Sequence, residues 1–414
     1  MKKFVYLCGM ILLSLNIMAQ IDLNDKNWEP VVQDSFSTSN RHFDSTFRDT
    51  IGNWIAFTMH TKSGVTKKNN FQIYQWHHSV IDGANGYLHL NSELVSNTPI
   101  RCDNRPYTLP PPTFGKNFVC DVECDSLFYY SGMIESLPAG YSFDTEYSSK
   151  VKSWPGRYRY GFFEIRCKLP IHQGAFPAFW LWDADSISPT NRYYEEIDIL
   201  EFSWEFEDPN AWWQINSPFR YAGYPYSYST GLFYNDTSTY HGATSLLSRV
   251  IPTLIDSVSN WHTYACEWMP DYVIWYCDGE VVNEFRDADH IPHHGLALKT
   301  NYAIDRYSCK TNVRQGHPPV WQGTDSMIVD YINVYQLNWD CDTDEVFAQQ
   351  SDLSNFKYKV KKSIDITSSI ETVKVESSDK VTLRVTDAFT ITGPFQAENG
   401  GEFTVIMQSC PSID

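Results

Sequence analysis

Between Trp28 and about Gln336 the chain is written in short runs of alternating apolar and polar residues, broken by Gly, Asn, Asp and Pro. No stretch keeps a helical period for more than a couple of turns. Clear runs are Gly86 to Asn91, Tyr160 to Leu169, His262 to Trp268 and Met327 to Tyr335. Tyr272 to Cys277 and Glu280 to Phe285 flank Asp278-Gly279, a two-residue hairpin signal. Short strands repeated over ~300 residues are best buried as two packed antiparallel sheets, a β-jelly roll. A hydrophobic content of 42% and an aromatic content of 15% are ample for such a core.

The composition changes at Cys341. Trp disappears, and Ser, Thr, Val and Lys rise. Short strands are expected at Ser363 to Thr367, Thr372 to Glu376, Lys380 to Val385, Phe389 to Thr392 and Gly400 to Val405. The expected organisation is a first domain over 21–340, then a linker and a small stacked-β module over 341–414. The linker is read at Phe347 to Phe356. The module loosely resembles the β-stack segments that follow many secreted bacterial enzymes.

Lys2-Lys3 followed by an apolar run from Phe4 to Leu15, with Ala19 before a cut site, reads as an export signal over 1–20. No later run approaches the ~20 apolar residues of a membrane span, so the expected product is exported, soluble and monomeric. Export permits disulfides among the ten cysteines, with Cys120 and Cys124 close in sequence and Cys341 and Cys410 flanking the C-terminal region. Spacing alone does not assign the pairs. The net charge of -18 argues against nucleic acid as a partner. It also disfavours a heavily sulfated polyanion, unless a local basic groove overrides the total.

One run does not fit an ordinary buried strand. Glu195-Glu-Ile-Asp-Ile-Leu-Glu-Phe202 carries four carboxylates among strand formers. Buried carboxylates are costly unless paired or used. Glu196 and Asp198 share a face at period two, but Glu201 falls on the opposite one. A β-bulge near Ile199-Leu200, with Leu200 as the natural extra residue, would return Glu201 to the face of the other two. Glu195 falls on the far face by parity. Three carboxylates on one face suit glycoside hydrolysis, where a nucleophile and an acid/base ~5–5.5 Å apart imply retention. Two plainer readings are a solvated charged edge and a calcium site. The aliphatic residues between the acids count against both.

Glu196-Ile-Asp-Ile-Leu-Glu201 resembles the ExDxxE signature of glycoside hydrolase family 16. Five other landmarks stand in that family's order: Tyr130 to Ile134, Tyr160 to Arg166, Pro177 to Leu181, Trp261 to Trp268 with Trp275 to Gly279, and Val329 to Tyr335. The resemblance implies an all-β, concanavalin-like jelly roll with a concave groove, acting endo and with retention on β-linked glucans or galactans. It gives Glu196 as nucleophile, Asp198 as its helper and Glu201 as acid/base. It implies a polysaccharide partner and no required cofactor; a structural calcium ion would fit the family, but no loop identifies its ligands.

Groove candidates are aromatic, because sugars stack on ring faces. Trp180 is the first, on one strand face with Trp182; Trp204 and His241 lie in and after an aromatic insertion beyond the acids. The region before the acids, Asn191-Arg-Tyr-Tyr-Glu195, departs from the Trp-Pro and Gly of many β-1,3-glucanases. That leaves room for agarase-, porphyranase- or carrageenase-like activity, with Arg192 and Tyr193 as groove residues. A non-catalytic carbohydrate-binding jelly roll would be expected to lack one of the acids. A transglycosylase would share all three.

Overall fold

The computed structural model describes residues 28–44, 48–51, 54–56, 72–94, 129–136, 157–172, 175–182, 195–202, 226–235, 244–250, 252, 254, 256–293, 295–304, 324–356 and 360–410. The expected export signal, Cys120 and Cys124 lie outside these residues.

The period-two runs become strands. In chain order they are β1 (Trp28–Asp34), β2 (Trp54–Ile55), β3 (Gln72–Tyr74), β4 (Ser79–Asp82), β5 (Tyr87–Leu94), β6 (Tyr129–Ser131), β7 (Met133–Ser136), β8 (Arg157–Tyr158) and β9 (Gly161–Lys168). They continue as β10 (Ala175–Trp182), β11 (Glu196–Glu201), β12 (Ser229–Asn235), β13 (Thr244–Val250), β14 (His262–Trp268), β15 (Val273–Cys277), β16 (Glu280–Phe285), β17 (Leu296–Ile304) and β18 (Thr324–Leu337). The Asp278-Gly279 turn joins β15 to β16 with positive φ at both residues, 49° and 83°. This is the type I′ geometry that the pair favours.

Among the described residues these strands form two sheets. One has eight strands, in the order β13-β12-β11-β10-β17-β7-β2, and β8 also pairs with β17. The other has ten, in the order β16-β15-β14-β9-β18-β5-β6-β3, with β1 on β18 and β4 on β5. All pairings are antiparallel except β3 with β6. One apolar cluster joins the sheets. Phe179, Leu181, Ile197, Leu200 and Leu298 enter it from the first sheet, and Phe163, Ile165, Tyr264, Trp268, Trp275 and Val329 from the second. No helix among the described residues is long and apolar enough to cross a membrane.

The C-terminal strands are β19 (Trp339–Phe347), β20 (Val360–Ile366), β21 (Val373–Val375), β22 (Lys380–Ile391), β23 (Phe395–Ala397) and β24 (Glu402–Met407). They pair in parallel, as β19-β20-β22-β24 and β21-β23. Successive passes therefore stack, and the Cys341–Cys410 disulfide ties the first strand to the residues after the last. Two expectations are corrected. The stretch read as a linker holds a short helix, α1 (Gln350–Asn355), opened by a reciprocal capping box between Gln349 and Asp352. Phe347, Leu353 and Phe356 are buried in the stack's own core. The runs at 380–385 and 389–392 join as the single strand β22.

Candidate active site

β11 carries the acids, and its register explains their placement. Against β10, Trp182 pairs with Glu196, Leu181 with Ile197 and Trp180 with Asp198. Phe179 then pairs with Leu200 and Ala178 with Glu201. Ile199 has no partner in this ladder. The register with β12 also slips, between Asp198–Gly231 and Glu201–Ser229. A β-bulge thus puts Glu201 on the face of Glu196 and Asp198, as parity required. The extra residue is Ile199, not Leu200. Both are fully buried in the inter-sheet cluster, so two consecutive apolar side chains face the core and the alternation resumes one step later.

Glu196 and Asp198 are buried and Glu201 is half-buried. One carboxylate oxygen from each lies within 4.8 Å of the other two. Glu196 Oε2 is buried without a hydrogen-bond partner among the described residues. That arrangement is costly in a merely structural carboxylate.

The next strand places aromatic surface beside the acids. Trp180 is directly opposite Asp198 and Trp182 opposite Glu196, with ring centroids 5.9 Å apart. Trp180 Nε1–H donates to Asn301 Oδ1 at 2.7 Å. Lys299 Nζ lies 4.5 Å from the Trp182 ring centroid and 5.5 Å from that of Trp180. Its charge is met by Glu135 at 3.2 Å, both side chains being buried. The residues Asp198, Trp180, Lys299 and Glu135 therefore form one row across β11, β10, β17 and β7. Lys299, Asn301 and Glu135 were not singled out from the sequence. The readable signal was the polar run Lys299-Thr300-Asn301 in the middle of an otherwise mostly apolar β17, with Lys299 and Asn301 on one face. Arg192, Tyr193, Trp204 and His241 lie outside the described residues.

A second cluster, His262, Cys277 and Asp278, also has metal-ligand composition. His262 Nδ1 meets Asp278 Oδ2 at 2.7 Å and Nε2 meets the Ser257 carbonyl at 3.1 Å. Both ring nitrogens are thereby engaged, and the Cys277 thiol is pushed up to about 12 by burial and by the Asp278 charge. This set does not fit a calcium ion, which takes ~6–8 oxygen ligands.

The fold and this face define a two-sheet jelly roll with three carboxylates gathered on one strand beside a tryptophan pair. Residues 132–312 match the model of glycosyl hydrolases family 16. The chain is 27% identical over 220 residues to endo-1,3-1,4-beta-glycanase EglC of Rhizobium meliloti, covering 53% of this chain and 36% of that protein. It is 26% identical over 201 residues to the kappa-carrageenase of Pseudoalteromonas carrageenovora, covering 46% and 47%. The chain thus spans little more than a third of EglC and about half of the carrageenase. The solved structure of LamAcat from Zobellia galactanivorans is similar over 74% of this chain and 97% of its own, with 19% identity and a TM-score of 0.46.

Proposed function

We propose that this chain is an exported endo-β-glycosidase that cleaves internal bonds of a β-linked glucan or galactan with retention. The observation that carries the reading is the close set Glu196, Asp198 and Glu201, mutually within 4.8 Å on one strand face. A separation of ~5–5.5 Å suits direct attack, whereas an inverting pair leaves room for a water.

Glu196 attacks the anomeric carbon while Glu201 gives its proton to the departing glycosidic oxygen. Water then attacks the glycosyl-enzyme, losing its proton to Glu201 and releasing Glu196. Asp198, between them, orients Glu196 and shares its negative charge. No cofactor enters this chemistry. The Trp180–Trp182 pair, next to the acids across β10, is suited to stacking on a sugar ring. The family-model match over 132–312 and the glycanase and carrageenase relatives support the substrate class. The Lys2-Lys3 and apolar 4–15 leader and the Cys341–Cys410 disulfide support export.

The test is incubation of the purified protein with laminarin, lichenan, agarose, porphyran and carrageenan, scored for new reducing ends. At least one should be cleaved into mid-sized fragments, and Glu196→Gln should lose at least ~1,000-fold in turnover while keeping its melting temperature. Activity retained by Glu196→Gln would overturn the assignment, and silence across the panel would count against hydrolysis.

A further inference from the structure

We infer that Trp275, in the opposite sheet, is a positioning residue that holds the β11 bulge and through it the spacing of the three carboxylates. Its kinetic consequence rests on the glycosidase reading above, but its structural consequence does not.

Trp275 lies in the middle of β15, and its side chain is fully buried between the sheets. Its Nε1–H crosses the sandwich and donates to the main-chain carbonyl of Asp198 at 2.9 Å. That carbonyl stands where the ladder breaks. Asp198 is the last β11 residue paired with both β10 and β12 before the break, Ile199 follows it unpaired against β10, and pairing with both resumes at Glu201. In a regular strand a carbonyl lies in the sheet plane and is served by its neighbour. One that accepts a bond from the facing sheet leans toward the core, as a bulge allows. A buried carbonyl needs a donor, and the indole supplies it where water does not reach. Ile197, Ile199 and Leu200 pack in the same core, so the bulge is held by apolar contact and by one directed bond.

The consequence reaches the site through parity. With the Asp198 carbonyl held toward the core, the extra residue sits between Asp198 and Leu200, and Glu201 faces the other acids. Without that bond the bulge can slide or flatten, and Glu201 moves relative to Glu196. The alternative is that Trp275 is only core filling, as large aromatics usually are. Trp268 provides the matched control. It is as fully buried, on β14 of the same sheet, and its Nε1–H donates to the Pro292 carbonyl at 3.1 Å rather than to β11.

The experiment compares wild type, Trp275→Phe and Trp268→Phe at a temperature where all are folded, on the polysaccharide the wild type cleaves. Trp275→Phe should lower kcat roughly 10- to 100-fold, the scale of a small misplacement of reacting groups. Its KM should stay within about twofold, since the tryptophan pair on β10 is untouched. Trp268→Phe should lose melting temperature and keep kcat within about twofold. In parallel, hydrogen exchange of the 196–202 amides should be roughly tenfold faster in Trp275→Phe than in the other two, as expected when a directed buried bond is lost. If Trp275→Phe does not fold, Trp275→Met takes its place, since a flexible filler also removes the donor. Wild-type kcat in the Trp275 variant, or unchanged exchange at 196–202, would overturn the inference. A wild type inactive on every substrate would overturn the glycosidase reading, and the exchange result would then decide the role of Trp275 alone.

Discussion

Arg41 joins two buried carboxylates. It is bonded to both Asp34 and Asp49, and Trp54 Nε1–H donates to Asp34 at 2.7 Å. Burial pushes the Asp34 carboxyl up, but the Arg41 bonds and charge, with the Phe36 amide and Trp54, together outweigh it and hold it below its ordinary 3.8. A lowered folded pKa gives stability that is present above the unfolded value and is lost as pH falls through the folded one. Melting curves from pH 7 to 2 should therefore show wild type losing stability below about pH 4. Asp34→Asn should start about 3–5 kcal/mol lower at pH 7, because it leaves Arg41 short of a partner, and should fall less steeply in acid. Parallel curves would show that Asp34 does not carry the effect. At this scale the sequence was legible where a residue was out of place for its element. Acids in an aliphatic strand drew attention to Glu196, Asp198 and Glu201. Lys299 and Glu135 stayed hidden because neither is unusual alone, and only the pairing of β17 with β7 brings them together.

The bulge in β11 is the element on which the site depends. The conflict between period two and the position of Glu201 was readable, and the structure resolves it within one residue of the expected place. Which residue is extra was not readable, since Ile199 and Leu200 are both apolar and only the β10 ladder distinguishes them. Deleting Ile199 should restore strict alternation, with the three acids still on one face but without the local bend that the bulge gives the strand and so with altered spacing between Glu196 and Glu201. The variant should have no detectable reducing-end release and should lose several kcal/mol in denaturant, partly from the ~1.5–3 kcal/mol of a buried Ile. An active, equally stable deletion would show that the bulge is dispensable. The C-terminal strands teach a related lesson. Their existence was visible in the alternation, but period two does not say whether neighbours run parallel or antiparallel. The helix α1 was missed because six mostly polar residues look like a linker unless the burial of Leu353 is known.

Across the whole molecule, the β-stack is joined to the ten-stranded sheet of the jelly roll by packing and by charge. Val360 packs in one cluster with Trp28, Phe162, Tyr276 and Tyr335. Arg384 of β22 reaches Glu267 of β14 at 3.3 Å, and its guanidinium sits over the Trp28 ring. Tyr272 OH also donates to Glu267, at 2.7 Å. Removing one member of such a buried pair costs more than removing both. Arg384→Met should thus lower stability by about 3–5 kcal/mol, and the double variant Arg384→Met/Glu267→Gln should recover much of it. Additive losses would mean the pair contributes no coupling. The broad architecture was legible because strand and turn signals repeat over most of the chain, whereas this joint depends on contacts between segments far apart in sequence.

Glu196 is proposed as the nucleophile of a retaining glycosidase, and a covalent adduct on it can be sought. The most direct measurement uses an activated 2-fluoro oligosaccharide matched to whichever polysaccharide is cleaved. The protein is incubated with it, digested and read by mass spectrometry. The expected result is one glycosyl adduct on the peptide containing Glu196, lost in Glu196→Gln and formed while activity falls in step. An adduct on Glu201 or elsewhere, or none on an enzyme the reagent inactivates, would contradict it.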